Sequence, residues 1–274
     1  MTTDAPGIDL SFAAVSPTWC RRRYGEGHRV AVQCLWTGAA APNTARANLT
    51  ALRDGGLTLA GYLVPTEART PAATIEAART AAGPLWRHLT AVAVDAEEDP
   101  HTGEPLATYA NVAATVAALI AAGLTPCVYS RRSYWLRHYG DADATVPTWT
   151  AERNTGPAIA TIRYPWGRQP VIGKQYTGTT TVDGAAVDLN TFDLTFLRKE
   201  NTMAAITERL TAAEAHLAAV DKRRAYEVHT AKLAAQAIAL NEHGRPASAR
   251  TAIAALLSAA GTLDRLIANG TVRP

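Results

Sequence analysis

Through residues 7–177 the apolar positions fall in short runs, separated by stretches whose spacing is that of helices. Runs rich in Val, Ile, Leu and Tyr, bounded by Gly, Pro or polar turns, predict strands. They lie at 7–11 (GIDLS), 28–35 (HRVAVQCL), 57–64 (LTLAGYLV), 89–95 (LTAVAVD), 124–130 (LTPCVYS), 146–150 (VPTWT), 158–163 (AIATIR) and 170–177 (PVIGKQYT). Helical patterns fill the gaps. NTARANLTALRDGG, from Asn43 to Gly56, has a polar start and a Gly-Gly stop, and TPAATIEAARTAAG (70–83) has a Thr cap followed by Pro at the first helical position. PLATYANVAATVAALIAAG (105–123) again stops on Gly. Strands alternating with helices in this way predict an α/β architecture, most economically a closed (β/α) barrel occupying residues 1–199.

After residue 200 the strand signals stop. Good helix formers dominate, and Ile206, Leu210, Ala213, Leu217 and Val220 follow a 4-3-4-3 spacing, a coiled-coil-like seam. His243-Gly244-Arg245-Pro246 breaks this helix, Ser248 can cap another, and Asn269-Gly270 stops it. The pattern predicts a C-terminal α-helical hairpin over 200–274. It packs its own Ala/Leu faces together or serves assembly, joining copies of the chain or attaching it to the proteins of a virion or other particle through residues 202–268.

Composition narrows the functional classes. With 47% hydrophobic and 19% charged residues the 274-residue chain has the make-up of a folded soluble protein. The formal net charge of +3 belongs to the tail: residues 201–274 carry nine Lys/Arg against six Asp/Glu, which leaves 18 of each in 1–200. That is too thin a basic excess for a nucleic-acid partner. Cys20, Cys34 and Cys127 are too few and too scattered for a disulfide framework or a structural zinc site, and no metal or organic cofactor is expected. No apolar run reaches the length of a membrane span. The N-terminus, MTTDAPGIDLSF, shows no signal-peptide pattern, which predicts synthesis in the cytoplasm.

The chemistry concentrates where strands end. AVAVDAEEDP (91–100) runs from an apolar strand into a cluster of acids, and strand alternation puts Asp95 and Glu97 on one face with Ala96 and Glu98 on the other. Carboxylates held together raise one proton affinity, the arrangement a general acid needs; extra acids at a strand end also serve as solvated caps, the role expected for Glu98 and Asp99. A closed barrel would bring Asp9 and Asp188 to the same mouth as Asp95 and Glu97, a carboxylate cluster of the kind glycosidases use. The segment 130–141, SRRSYWLRHYGD, reads either as an anion-gripping surface or as an amphipathic helix with snorkelling arginines.

These segments together resemble glycoside hydrolase family 25, the bacterial and phage muramidases. That family opens its barrel with a Gly-Ile-Asp-Val-Ser type strand, as GIDLS does here, and carries an Asp-x-Glu pair at the fourth strand, as Asp95-Ala96-Glu97 does. It closes with a Gln-Tyr-x-Ser/Thr strand and a Val-Asp-Leu-Asn segment, for which this chain has GKQYTGTTTVDGAAVDLNTFD. The resemblance runs from about residue 7 to 195. It implies cleavage of the β-1,4 bond of N-acetylmuramic acid in the peptidoglycan glycan strand, at the cell wall or from a particle. It makes Glu97 the general acid with Asp95 beside it, sets Asp9 and Asp188 to orient the substrate or a water, and lines the groove with Tyr62, Tyr129, Trp149, Gln175 and Tyr176.

Three positions depart from the family pattern. Lys174 stands before Gln175-Tyr176 where a Trp is usual, Val64 replaces an aromatic, and Trp149-Thr150-Ala151-Glu152-Arg153 lacks the final Tyr. The acids are kept while the sugar platform is thinned. The alternative function is therefore a catalytically weak or silent glycoside-hydrolase-like structural protein of a virion or injection device.

Overall fold

The computed structural model describes residues 4–99 and 101–197. The predicted hairpin of residues 200–274, and with it the predicted boundary near 199 and the assembly surface, lies outside the described residues.

The strands form a closed eight-stranded barrel in chain order: β1 (Asp4–Leu10), β2 (Val30–Trp36), β3 (Thr58–Leu63), β4 (Ala91–Asp95), β5 (Pro126–Ser130), β6 (Thr148–Ala151), β7 (Val171–Val182) and β8 (Ala185–Asp193). Neighbours from β1 to β7 pair parallel, and β8 closes the ring antiparallel to both β7 and β1. Helices α1 (Pro17–Gly25), α2 (Ala45–Asp54), α3 (Pro71–Ala82), α4 (Tyr109–Ala121) and α5 (Arg132–Tyr139) surround it. Their starts follow the expected capping chemistry. Ser16, Thr70 and Thr108 accept from the backbone N–H three residues on, and Pro stands first in α1 and α3. The 130–141 segment is the helix α5, with Tyr134 and Trp135 buried and its arginines exposed.

Two predicted features are corrected. The 158–163 run is not a strand: only a short 3-10 turn, Ile159–Thr161, forms there, because β6 already pairs directly with β7, Trp149 opposite Gly173. The eighth strand is instead Ala185–Asp193, reached by a two-residue hairpin. Its turn residues Asp183 (φ 47°) and Gly184 (φ 81°) both occupy the left-handed region, the geometry that lets a right-twisted hairpin close in two residues. The hairpin tip docks on α1, where Trp19 Nε1 donates to Val182 O (3.0 Å) and Asp183 pairs with Arg22 (2.8 Å) and Arg23 (2.5 Å).

Inside the barrel, small residues (Ala60, Ala91, Ala93) alternate with Trp149, Tyr129 and Phe192. The Phe192 ring is wedged between backbones: a Cβ on Gly7 would fall 2.6 Å from its Cδ2, and one on Gly173 2.8 Å from its Cδ1. Gly7 of the GIDLS strand is thus required by the barrel filling beside it. The three thiols are free and buried, and serve as small apolar fillers.

Candidate active site

The C-terminal ends of the parallel strands gather the predicted acids. Asp9 lies one residue from the end of β1, and Asp188 stands directly opposite it in the antiparallel β8 ladder. Asp95 is the last residue of β4, opposite Tyr129 on β5. The chain then turns. Ala96 N donates to Tyr129 O (2.9 Å) and Ala96 O accepts from Ser130 Oγ (2.8 Å), while Glu97 comes back into electrostatic contact with Asp95 and Asp9. Glu98 lies apart from the acids, paired with Arg131 and, at 3.4 Å, with Arg137. Asp99 caps a turn, accepting from His101 N at 2.8 Å.

Two amide side chains tie the acids together. Gln175 Nε2 donates to Asp188 Oδ2 (2.9 Å) and, at the limit of bonding, to Asp9 Oδ2 (3.4 Å). Its Oε1 accepts from the Tyr129 hydroxyl (3.0 Å) and from Arg153 (3.1 Å). With acids at its nitrogen and donors at its oxygen, only one orientation of this amide satisfies its neighbours. Asn190 is fully buried: its Nδ2 donates to Asp9 Oδ2 (2.6 Å) and Asp188 O (3.2 Å), and its Oδ1 accepts from Trp149 Nε1 (3.0 Å). Asn190 shares a strand face with Asp188 by the two-residue period, so the Val-Asp-Leu-Asn segment contributes two site residues where the sequence reading named one.

The field of the site favours protons. Burial raises the Asp9 carboxyl to about 7; the neighbouring Asp188 adds to the rise, and the Asn190 and Gln175 amides oppose it. Asp95 is pushed well above the carboxylate range by burial first, then by Glu97 and Asp9, and its Oδ1 is buried without a hydrogen-bond partner. Burial also raises Glu97, with Arg131 and Arg153 pulling it back and Asp188 pushing it up. Asp188 is raised by burial against the pull of Arg153. The Tyr129 hydroxyl is bonded to Glu97 as well. That contact favours the carboxylate and pulls Glu97 down against the rise from burial.

The predicted groove residues divide. Tyr129 and Gln175 belong to the network. Tyr62 is half-buried, hydrogen-bonded to the Cys34 thiol, and close enough to feel Asp95 and Asp9. Trp149 is 2% exposed, packed against Tyr129 and Phe192 with ring centroids 4.6 Å and 5.2 Å away, and so acts by holding Asn190. Tyr176 is half-buried and follows Gln175 outside the hydrogen-bond network. Lys174, in place of an aromatic, is 0% exposed and faces away from the acids. Its Nζ donates to Thr155 Oγ1, to Gly156 O (2.6 Å) and to Thr161 Oγ1 (2.6 Å), pinning the β6–β7 loop. Arg153, at another departure from the family pattern, stands on the rim over Gln175 and, like Asn190, is a site residue that the sequence reading did not name.

No protein-family model matches the chain, and no curated protein matches it. Solved structures do. A bacterial lysozyme from Streptomyces coelicolor superposes with a TM-score of 0.57 at 19% identity, over 72% of this chain and 96% of that one. A muramidase from Acremonium alcalophilum gives 0.54 at 16% identity, over 76% and 99% of the two chains. A family 25 lysozyme from Aspergillus fumigatus gives 0.53 at 14% identity, over 77% and 99%. At these identities the likeness is one of fold. The eight-stranded barrel with its antiparallel closing strand is the fold of the family 25 glycoside hydrolases.

Proposed function

We propose that the barrel is a glycoside hydrolase that cuts peptidoglycan at the β-1,4 bond of N-acetylmuramic acid. The observation that carries this reading is the well of raised carboxyls, Asp9, Asp95, Glu97 and Asp188, at the C-terminal mouth. A carboxyl pushed above its ordinary range is what protonation of a glycosidic oxygen needs.

Glu97 is the general acid: it is the member of the pair nearer the surface, and burial raises its proton affinity against the pull of Arg131, Arg153 and the Tyr129 hydroxyl. Asp95 lies deeper and holds the second, harder-to-release proton. Asp188 and Asp9, aligned by Gln175 and Asn190, orient the 2-acetamido group or the attacking water. The lysozymes and muramidases that share the fold support the substrate class. The Ala-rich heptad pattern of residues 202–268 supports a setting on a phage or other particle, or in a homo-oligomer, that delivers the barrel to the wall.

The test is release of soluble reducing sugar from purified peptidoglycan, comparing the protein with Glu97→Gln at matched folding. The expected loss is at least about 100-fold, the scale of general acid catalysis. No release by the unsubstituted protein from several wall types refutes the reading. It would favour the second one, a silent glycan-binding or scaffold barrel, for which Arg153 standing in the mouth is the supporting observation.

A further inference from the structure

We propose that Arg153 forms an anion-binding subsite on the rim of the well and selects glycans that carry a carboxylate beside the bond to be cut. The inference takes its substrate class from the hydrolase reading and adds the residue that reads the substrate's charge.

The position of the guanidinium is built in. Glu152 N donates to Gln175 O (3.0 Å), which launches Arg153 over the mouth just past the end of β6, and one Arg153 N–H is spent on Gln175 Oε1 (3.1 Å). The rest of the fork lies against the backbone of β7. A Cβ on Gly178 would sit 2.5 Å from Arg153 Cζ, 2.5 Å from one terminal nitrogen and 2.9 Å from the other. Gly178 lies outside the left-handed φ region, so backbone geometry does not call for glycine there. What its missing side chain does is admit the guanidinium.

The charge is uncommitted. Arg131, the other cation felt by Glu97, is taken up by Glu98. Arg153 is exposed and, among the described residues, has no carboxylate within ion-pair distance, although its field reaches both Glu97 and Asp188. A planar fork on an exposed side chain, with one N–H anchored, is matched to a carboxylate. In peptidoglycan two carboxylates qualify: the lactyl group of a muramic acid stripped of its peptide, and those of the stem peptide, on whose attachment the lactyl group becomes an amide.

The test reads binding without turnover, by calorimetric titration of the full chain carrying Glu97→Gln. The probes are a muramic-acid oligosaccharide with free lactyl carboxylates, the same oligosaccharide amidated, a fragment bearing stem peptides, and a neutral chitooligosaccharide. A carboxylate-bearing probe should bind about fivefold tighter than the neutral ones, the scale of an exposed charge pair, and the advantage should shrink in high salt. The free-lactyl and stem-peptide arms identify which carboxylate is read. Adding Arg153→Gln should abolish the preference, and Arg153→Lys should retain part of it. Gly178→Ala should mimic Arg153→Gln with unfolding unchanged, since only the end of a flexible side chain has to move. Equal binding of all probes, a preference that survives Arg153→Gln, or no binding of any probe would overturn the proposal. Failure of the hydrolase reading is a separate result: a charge preference present in binding, with no sugar released by the protein with Glu97 intact.

Discussion

Replacing Asp9 with asparagine should stabilise the barrel at neutral pH and have little effect in acid. Burial and the facing Asp188 move this carboxyl from its ordinary 3.8 to about 7, against the opposing pull of the Asn190 and Gln175 amides. Between those two values the folded protein holds a proton that the unfolded chain has already released. Stability therefore falls as pH rises through the window, and the loss is complete above about 7. At about 1.4 kcal/mol per pH unit, the gap corresponds to a ceiling of about 4 kcal/mol. Asparagine keeps an acceptor for Asn190, whose bond to Asp9 is 2.6 Å, but carries no charge to bury.

The measurement is urea unfolding of both proteins from about pH 4 to pH 8.5 at constant ionic strength, with the stability difference plotted against pH. The difference should be small at the acid end and grow toward the ceiling by about pH 8. Parallel curves would mean that Asp9 titrates alike in the folded and unfolded states. A difference that grows toward acid pH would mean that the two amide donors win and hold Asp9 as a carboxylate. Either result would remove the premise of a protonated well.

Two further substitutions test the scaffold, alongside the Glu97→Gln assay. Gly7→Ala should cost about 1–3 kcal/mol, the usual scale of overpacking, because its Cβ meets the Phe192 ring at 2.6 Å; Phe192→Leu in the same chain should recover part of that, as read by urea midpoints. Lys174→Met should cost about 1–3 kcal/mol by leaving Thr155, Gly156 and Thr161 without their shared donor, with hydrogen-exchange protection lost first over residues 152–163; protection unchanged there would refute the pinning role.

Much of the barrel was legible because parallel strands are buried on both faces and read as apolar runs. VAVQCLW and AVAVD are buried throughout, and their composition shows it. β8 escaped that test because its mouth-facing positions are Asp188 and Asn190, so it does not look apolar. The available signal was Asp183-Gly184 between alternating residues, a two-residue hairpin signature that outranks composition. AIATIR has the composition of a strand, but no ladder is open to it between β6 and β7, and composition cannot report that. The acids were legible as strand-end residues. Arg153 was not, because its place in the site depends on Gly178, 25 residues further on, and on a contact visible only in three dimensions.

The well also bears on two of the departures from the family pattern, Lys174 and Arg153. A cluster of buried carboxyls works against folding, and every group bonded to it is already fully used: Gln175 spends its amide on Asp9, Asp188, Tyr129 and Arg153, and Asn190 spends its own on Asp9, Asp188 and Trp149. Changing any of these leaves a buried polar atom unpaired, which costs more than the lost bond itself. Lys174 and Arg153 are not bonded to the acids. Lys174 faces away from the acids and finds neutral acceptors in a loop, and Arg153 needs only Gln175 and the space above Gly178. Substitution at these two positions can therefore change what the mouth admits while the carboxyl floor stays intact, and the proposed activity is better judged from that floor than from the aromatic positions around it.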